Sequence, residues 1–76
     1  MDEAKMIQEM AERVRGRRKE LRLSVLEASL LAGVHEQTLY SVEEGQTKNP
    51  GVITLARIAD ALMVSPGWLV YGDEKR

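Results

Sequence analysis

The sequence predicts an all-α fold in which five short helices surround a single core. Apolar residues recur at spacings of three and four along most of the chain, and capping residues and glycines fall between these periodic segments. No alternating pattern typical of a strand appears. With 76 residues, the chain has room for one domain and is near the lower size limit for a core without crosslinks.

Periodicity predicts a long first helix from about Glu3 to Leu21. Its apolar residues at helical spacing are Ile7, Met10 and Val14. The same helix contributes most of a basic band with six positive charges in ten residues: Arg13, Arg15, Arg17, Arg18, Lys19 and Arg22. Most bands of this kind are solvated helix faces, but a band can neutralise phosphates locally even though the net charge is −1.

A tight turn at Gly33 is predicted to join the second and third helices. Ser24 and Glu27 have the spacing of a capping box, which begins helix two, and this helix continues to about Ala32. Its large apolar residues are Leu26, Leu30 and Leu31. Gly33 ends the helix because glycine adopts the left-handed conformation at least cost.

Helix three is predicted over about residues 36–43, and Gly45 ends it. Its buried side is supplied by Val34, Leu39 and Val42, and polar residues occupy the opposite face. Two short helices joined by a turn, with polar side chains offered by the second, are typical of a helix-turn-helix reader of the DNA major groove.

Two further helices follow the predicted loop over residues 46–51. Helix four runs from about Val52 to Leu62, with an inward face of Val52, Leu55, Ile58, Ala59 and Leu62. Ser65 and Pro66 then supply a cap and a favoured first-turn proline for a short fifth helix carrying Trp68 and Leu69.

Composition excludes several classes of function. The chain has no cysteine and one histidine, and it lacks a glycine-rich phosphate loop, so we predict no enzymatic activity, metal site, cofactor or small-molecule ligand. No apolar run has the length of a membrane span, and the acidic N-terminus lacks the apolar core of a signal peptide. We therefore expect a cytoplasmic protein.

From about Arg13 to Gly72, the chain resembles the DNA-binding domain of phage repressor and Cro-type helix-turn-helix regulators. The matching segments are, in order, RVRGRRKELRLS, AGVHEQTLYSVEEG, KNP, LARIADALMVS and SPGWLVYG. The resemblance implies a compact, lambda-repressor-like domain of five helices. Residues 1–12 would then form a helical N-terminal extension and residues 73–76 a charged tail.

The resemblance also implies roles for individual residues. Base-reading positions fall on Glu36, Gln37 and Ser41, with Tyr40 beside them packing against the sugar or backbone. Phosphate contacts are expected from Arg15, Arg17, Lys48 and Asn49. Arg18 and Glu43 are expected to form an ion pair that orients the third helix. Arg13 and Arg22 are interpreted as solubilising residues, and His35 as a capping or surface residue. The partners are expected to be double-stranded DNA and a second copy of the chain.

Two readings of the function remain open. An apolar surface near helix five would serve a homodimer or another protein partner, and its residues are Val64, Trp68, Val70 and Tyr71, with Leu69 among them. A protein-interaction module or antitoxin-type subunit with weak or no DNA binding is the alternative to a repressor. It is favoured by Val25, where the family usually has a phosphate-binding Gln, and by the acidic residues Glu36 and Glu44.

Two helix ends depart from the family pattern. Arg22 and Met63 stand where these proteins often have Gly. Because side chains with a Cβ disfavour positive φ, we expect the chain to end these two helices in a different way.

Overall fold

The computed structural model describes residues 2–47 and 49–74, and within them every regular element is an α-helix. The five helices are α1 (Glu3–Glu20), α2 (Val25–Ala32), α3 (Glu36–Glu43), α4 (Val52–Ala61) and α5 (Pro66–Tyr71). None of them combines the length and apolar character that crossing a membrane requires. The predicted fold class and the order of the helices are confirmed.

One core joins all five helices. Helix α1 packs against α3 and α5, and α4 packs against α2 and α5. The largest fully buried apolar side chains are Val14, Leu39, Val42, Ile58, Leu62 and Leu69. Since α2 and α3 also pack on each other, the predicted helix-turn-helix is one layer of the domain, with α1 and α4 behind it.

Four helix ends in the described chain close with the same turn. The first residue of the turn has positive φ and donates its N–H to the carbonyl three residues earlier, and the next residue donates to the carbonyl five residues earlier. The positive-φ residues are Arg22, Gly33, Gly45 and Met63. This arrangement is the Schellman motif, which supplies partners for carbonyls that a helix end leaves open.

The expectation that Arg22 and Met63 end their helices differently is wrong. Both residues adopt φ of 58°, so the turn is kept without glycine. The left-handed conformation costs a non-glycine residue about 1–2 kcal/mol. Burial of the following residue offsets this cost at the end of α4, because Val64 is only 5% exposed.

One further feature of packing differs from the sequence expectations. Val52, predicted to face inward, is 81% exposed. It begins α4 at the edge of the domain, and burial increases along the same helical stripe through half-buried Leu55 to Ile58, which is buried. Helix α2 buries Ala28, Ser29 and Ala32, and it leaves its large residues exposed: Leu26, Leu30 and Leu31. The small buried face allows α2 to lie close to its neighbours.

Candidate nucleic-acid interface

Helix α2, the first helix of the helix-turn-helix, is capped by hydrogen bonds at both of its ends. Ser24 accepts from the Glu27 N–H at 3.0 Å and donates its own N–H to the Glu27 carboxylate at 2.8 Å, which completes the predicted capping box. At the other end of α2, Gly33 adopts φ of 70°, and the Val34 N–H reaches the Ser29 carbonyl at 3.1 Å. The direction in which α3 leaves the turn is therefore defined by local contacts.

Helix α3 has one buried and one exposed face. Leu39 and Val42 lie in the core, as the sequence predicted. Glu36, Gln37 and Tyr40 are exposed. His35 is the N-cap residue of the helix; its side chain is exposed and makes no capping hydrogen bond within the described residues. The predicted orientation of α3 is confirmed.

The exposed side chains of α3 form one surface with the start of α2. Val25, Glu36, Gln37 and Tyr40 line a shallow open groove between the two helices. Ser41, predicted to read bases with them, is half-buried and does not line this groove. The Gln37 amide, the Glu36 carboxylate and the Tyr40 phenol thus lie around an apolar patch formed by Val25. The base-reading roles of these residues remain predictions.

The predicted ion pair between α1 and α3 is present. Arg18 donates from Nε to Glu43 Oε2 at 2.7 Å and from Nη2 to Oε1 at 2.9 Å, so the pairing is bidentate. Its Nη1 donates to the Leu23 carbonyl at 2.8 Å. The side chains of Arg18 and Glu43 are 12% and 3% exposed. The hydrogen bonds to Glu43, and then the charge of that carboxylate, raise the pKa of Arg18, although burial opposes the shift.

A matching family model, described as helix-turn-helix, spans residues 14–69. This chain belongs to the helix-turn-helix family. Two solved structures resemble the domain. One is the P22 c2 repressor protein in complex with a synthetic operator, which is 33% identical, with a TM-score of 0.79 over 87% of this chain and 98% of that chain. The other is the SinR protein in complex with the SinI protein.

The SinR structure is 31% identical, with a TM-score of 0.78 over 82% of this helix-turn-helix chain. Our chain spans 60% of that SinR chain. The family match begins at residue 14, so the whole first half of α1 precedes it. That half packs on the domain, since Ile7 and Gln8 lie within 4 Å of the position that a Cβ would take on Gly45.

The arginines of α1 have partners inside the helix-turn-helix domain that sequence reasoning missed. Arg15 donates to the Glu43 carbonyl at 2.9 Å, and Arg17 donates to the Leu62 carbonyl at 3.0 Å. Arg13 donates to two carbonyls of α5, those of Leu69 at 3.1 Å and Val70 at 3.2 Å. Each of these arginines therefore lies at the C-terminal end of another helix.

These contacts change the interpretation of the basic band. Arg13, predicted to be merely solubilising, connects α1 to α5. The phosphate roles of Arg15 and Arg17 remain predictions, but both guanidinium groups already have acceptors in the fold. A signal was present in the sequence, because α3, α4 and α5 have no basic residue in their own last turns. Cations stabilise the negative end of a helix, so they have to come from elsewhere.

The predicted phosphate-binding loop is described only in part. Asn49 is exposed and lies beside Pro50 and Glu3 in a groove between the loop and the start of α1. Lys48, the other residue predicted there, is outside the described residues. An exposed amide at this place is compatible with a backbone contact, which stays a prediction.

The predicted partner surface near α5 needs correction. Val64 is 5% exposed and Leu69 is fully buried, so neither offers a surface. Val64 is buried because it follows the left-handed turn at Met63, and an apolar residue at this position of a Schellman motif packs back on the helix. Trp68 and Val70 are half-buried against the core, and Tyr71 is 64% exposed. The apolar surface at α5 is therefore much smaller than the sequence suggested.

Proposed function

We propose that this chain is a sequence-specific DNA-binding transcriptional repressor that reads the major groove with α3. The observation that carries the proposal is the division of α3 into two faces. Leu39, Val42 and Glu43 hold one face against the domain, while Glu36 and Gln37 extend into solvent from the first turn. In helix-turn-helix proteins, the first turn of this helix reaches base edges. The similarity to a repressor solved with its operator supports the same use here.

The exposed side chains suit defined base edges. The Gln37 amide can pair in a bidentate manner with N6 and N7 of adenine, and the Glu36 carboxylate can accept from N4 of cytosine. Val25 gives the groove an apolar wall that suits contact with a thymine methyl group. We therefore expect preference at two or three adjacent base pairs from each domain.

A homodimer would place two copies of α3 in successive major grooves, about 34 Å apart. Of the residues predicted for its interface, Tyr71 is exposed, while Val70 and Trp68 are half-buried. The proposal includes a cytoplasmic location, where a repressor would meet DNA.

The experiment that tests the function is selection of bound duplexes from a randomised pool, followed by affinity measurements at two salt concentrations. Affinity for the selected duplex that exceeds affinity for a shuffled duplex by at least about a thousandfold would support specific readout. Equal affinity for both duplexes would contradict it, and so would the absence of binding at low salt. Sedimentation of the protein with and without the selected duplex would report whether one or two copies bind.

A protein-interaction module is the second candidate function, and exposed leucines favour it. Leu26, Leu30 and Leu31 are 50%, 72% and 64% exposed on α2. Two of them, Leu26 and Leu30, are four residues apart and so lie on one side of the helix. The similar SinR structure is itself a complex with another protein. Failure of the duplex selection, together with stable hetero-complexes lost on Leu30→Ser substitution, would favour this candidate.

A further inference from the structure

The last turn of α3 is completed by a side chain from another helix. Three of its four final carbonyls accept backbone N–H groups of the following turn: Tyr40 from Glu44, Ser41 from Gln46 and Val42 from Gly45. The last carbonyl, that of Glu43, accepts from Arg15 at 2.9 Å. Arg15 therefore supplies the one hydrogen-bond donor that the local turn does not provide.

Arg15 and Arg18 bind the backbone and the side chain, respectively, of the same residue, Glu43. Arg18 holds the carboxylate of Glu43 and Arg15 holds its carbonyl, and the two arginines lie on neighbouring positions of α1 because they are three residues apart. A single ion pair allows a helix to rotate about the side chain that it holds. A second contact, to the backbone of the same residue, restricts this rotation beyond the restraint that buried Leu39 and Val42 already impose.

We propose that Arg15 is a positioning residue for DNA binding, which orients α3 through the Glu43 carbonyl and does not contact a phosphate. This inference rests on the proposed function. Its charge is placed at the negative end of the α3 dipole, where a cation is favourable. A guanidinium moved from there to a phosphate would leave a carbonyl of the last turn without its donor.

Arg13 provides a matched control, since it makes the same kind of contact to a different helix. It donates to the Leu69 and Val70 carbonyls of α5, and we have assigned it no DNA contact. Arg13→Gln and Arg15→Gln each remove one charge from α1, together with two carbonyl contacts in the case of Arg13 and one in the case of Arg15. Lys19→Gln, at an exposed position of α1, removes the charge alone. Only Arg15→Gln changes what holds α3.

The test compares affinities of these variants for the selected duplex across a salt series, at a temperature where circular dichroism shows all of them folded. We expect Arg15→Gln to bind about tenfold more weakly, as loss of one charge-assisted hydrogen bond allows, with an unchanged dependence of log affinity on log salt. Arg13→Gln and Lys19→Gln should bind within about twofold of the original chain. If Arg15→Gln does not fold, Arg15→Met is used, because methionine also removes the charge and an unchanged salt dependence therefore still distinguishes a carbonyl contact from a phosphate contact.

Two outcomes would overturn the inference. A salt slope that falls by about one unit in Arg15→Gln would identify a phosphate contact, because the slope counts neutralised phosphates. If Arg15→Gln binds the selected duplex no more weakly than Arg13→Gln does, Arg15 does not position α3 for DNA binding.

NMR chemical shifts of the α3 backbone amides, measured on the protein without DNA, give an independent measurement. They should change more in Arg15→Gln than in Arg13→Gln, and equal changes would count against the inference. If the original chain itself binds no duplex, the proposed function fails, and the resonances still decide whether Arg15 orients α3.

Discussion

Replacing Arg18 with methionine tests whether the buried ion pair holds α3 in place. Methionine keeps much of the side-chain volume but removes three hydrogen bonds, two to the Glu43 carboxylate and one to the Leu23 carbonyl. The carboxylate would remain 3% exposed without the guanidinium that neutralises it. Removing one partner of a buried pair costs about 3–5 kcal/mol.

That cost is large for a chain of this size. At about 0.05–0.15 kcal/mol per residue, 76 residues have a stability of about 4–11 kcal/mol. We expect Arg18→Met to lower the free energy of unfolding by at least about 3 kcal/mol and the melting temperature by more than about 10 °C. Urea unfolding and thermal melting monitored by circular dichroism measure both quantities.

Two further variants make this prediction specific. Lys19→Met removes a neighbouring charge at an exposed position, and its stability should stay within about 0.5 kcal/mol of the original. Arg18→Met combined with Glu43→Leu removes both charges and should regain about 2 kcal/mol relative to Arg18→Met. An Arg18→Met variant with the melting temperature of the original chain would contradict a stabilising ion pair, and so would a double variant whose loss of unfolding free energy equals the sum of the two single losses.

Three other predictions concern DNA reading, backbone strain and pH. Gln37→Ala should cost about 1–3 kcal/mol in binding and relax preference at one base pair, and uniform weakening on all duplexes would contradict a base contact. Met63→Gly should raise stability by about 1 kcal/mol because glycine adopts positive φ without strain, whereas Met63→Ala should not. The hydrogen bonds from the Ser24 backbone and side chain lower the pKa of Glu27, so its contribution exists above the ordinary glutamate pKa and is lost as pH falls through the folded value. Urea unfolding should show Glu27→Ala less stable than the original chain at pH 7, with a difference that shrinks as the pH falls below the ordinary glutamate pKa; a constant difference would rule out this origin.

Local signals account for the parts of the fold that the sequence predicted well. The capping box at Ser24 and the glycine at residue 33 act within one turn of chain, so their residues alone define where α2 begins and ends. The inward direction of Leu39 and Val42 followed from spacing, and with it the exposure of Gln37. For each helix whose last residue was predicted from the sequence, the predicted and observed last residues differ by no more than one position.

The contacts that the sequence did not reveal are those between distant segments. Arg13 donates to the carbonyls of Leu69 and Val70, which lie 56 and 57 positions further along the chain. No local sequence pattern predicts a contact over that separation. The burial of Val64 was missed for a related reason. Met63 was expected to avoid the left-handed turn, and only that turn sends Val64 back into the core.

The spacing of the basic band now has a structural explanation. Arg15 is two residues from both Arg13 and Arg17 and lies on a different side of α1 from them, while Arg13 and Arg17 are four residues apart and share a face. The three side chains accordingly reach α5, α3 and the end of α4. The hydrogen bonds of these three cations therefore place them at the ends of three neighbouring helices and not together on one phosphate-binding surface.

This arrangement limits how much of the positive charge can act on DNA. Of the four residues expected at phosphates, Arg15, Arg17 and Lys48 are cations, which would give a salt slope of about −2.7 per domain if all three bound. With Arg15 and Arg17 held by carbonyls, one cation remains, and the expected slope is about −1 per domain, or about −2 for a dimer. The two expected slopes can be distinguished by measuring affinity for the selected duplex between about 50 and about 200 mM salt, which is roughly a fourfold range. A slope near −5 for a dimer would mean that these arginines leave their carbonyls when DNA binds, and that their contacts with Glu43 and Leu62 belong to the unbound domain alone.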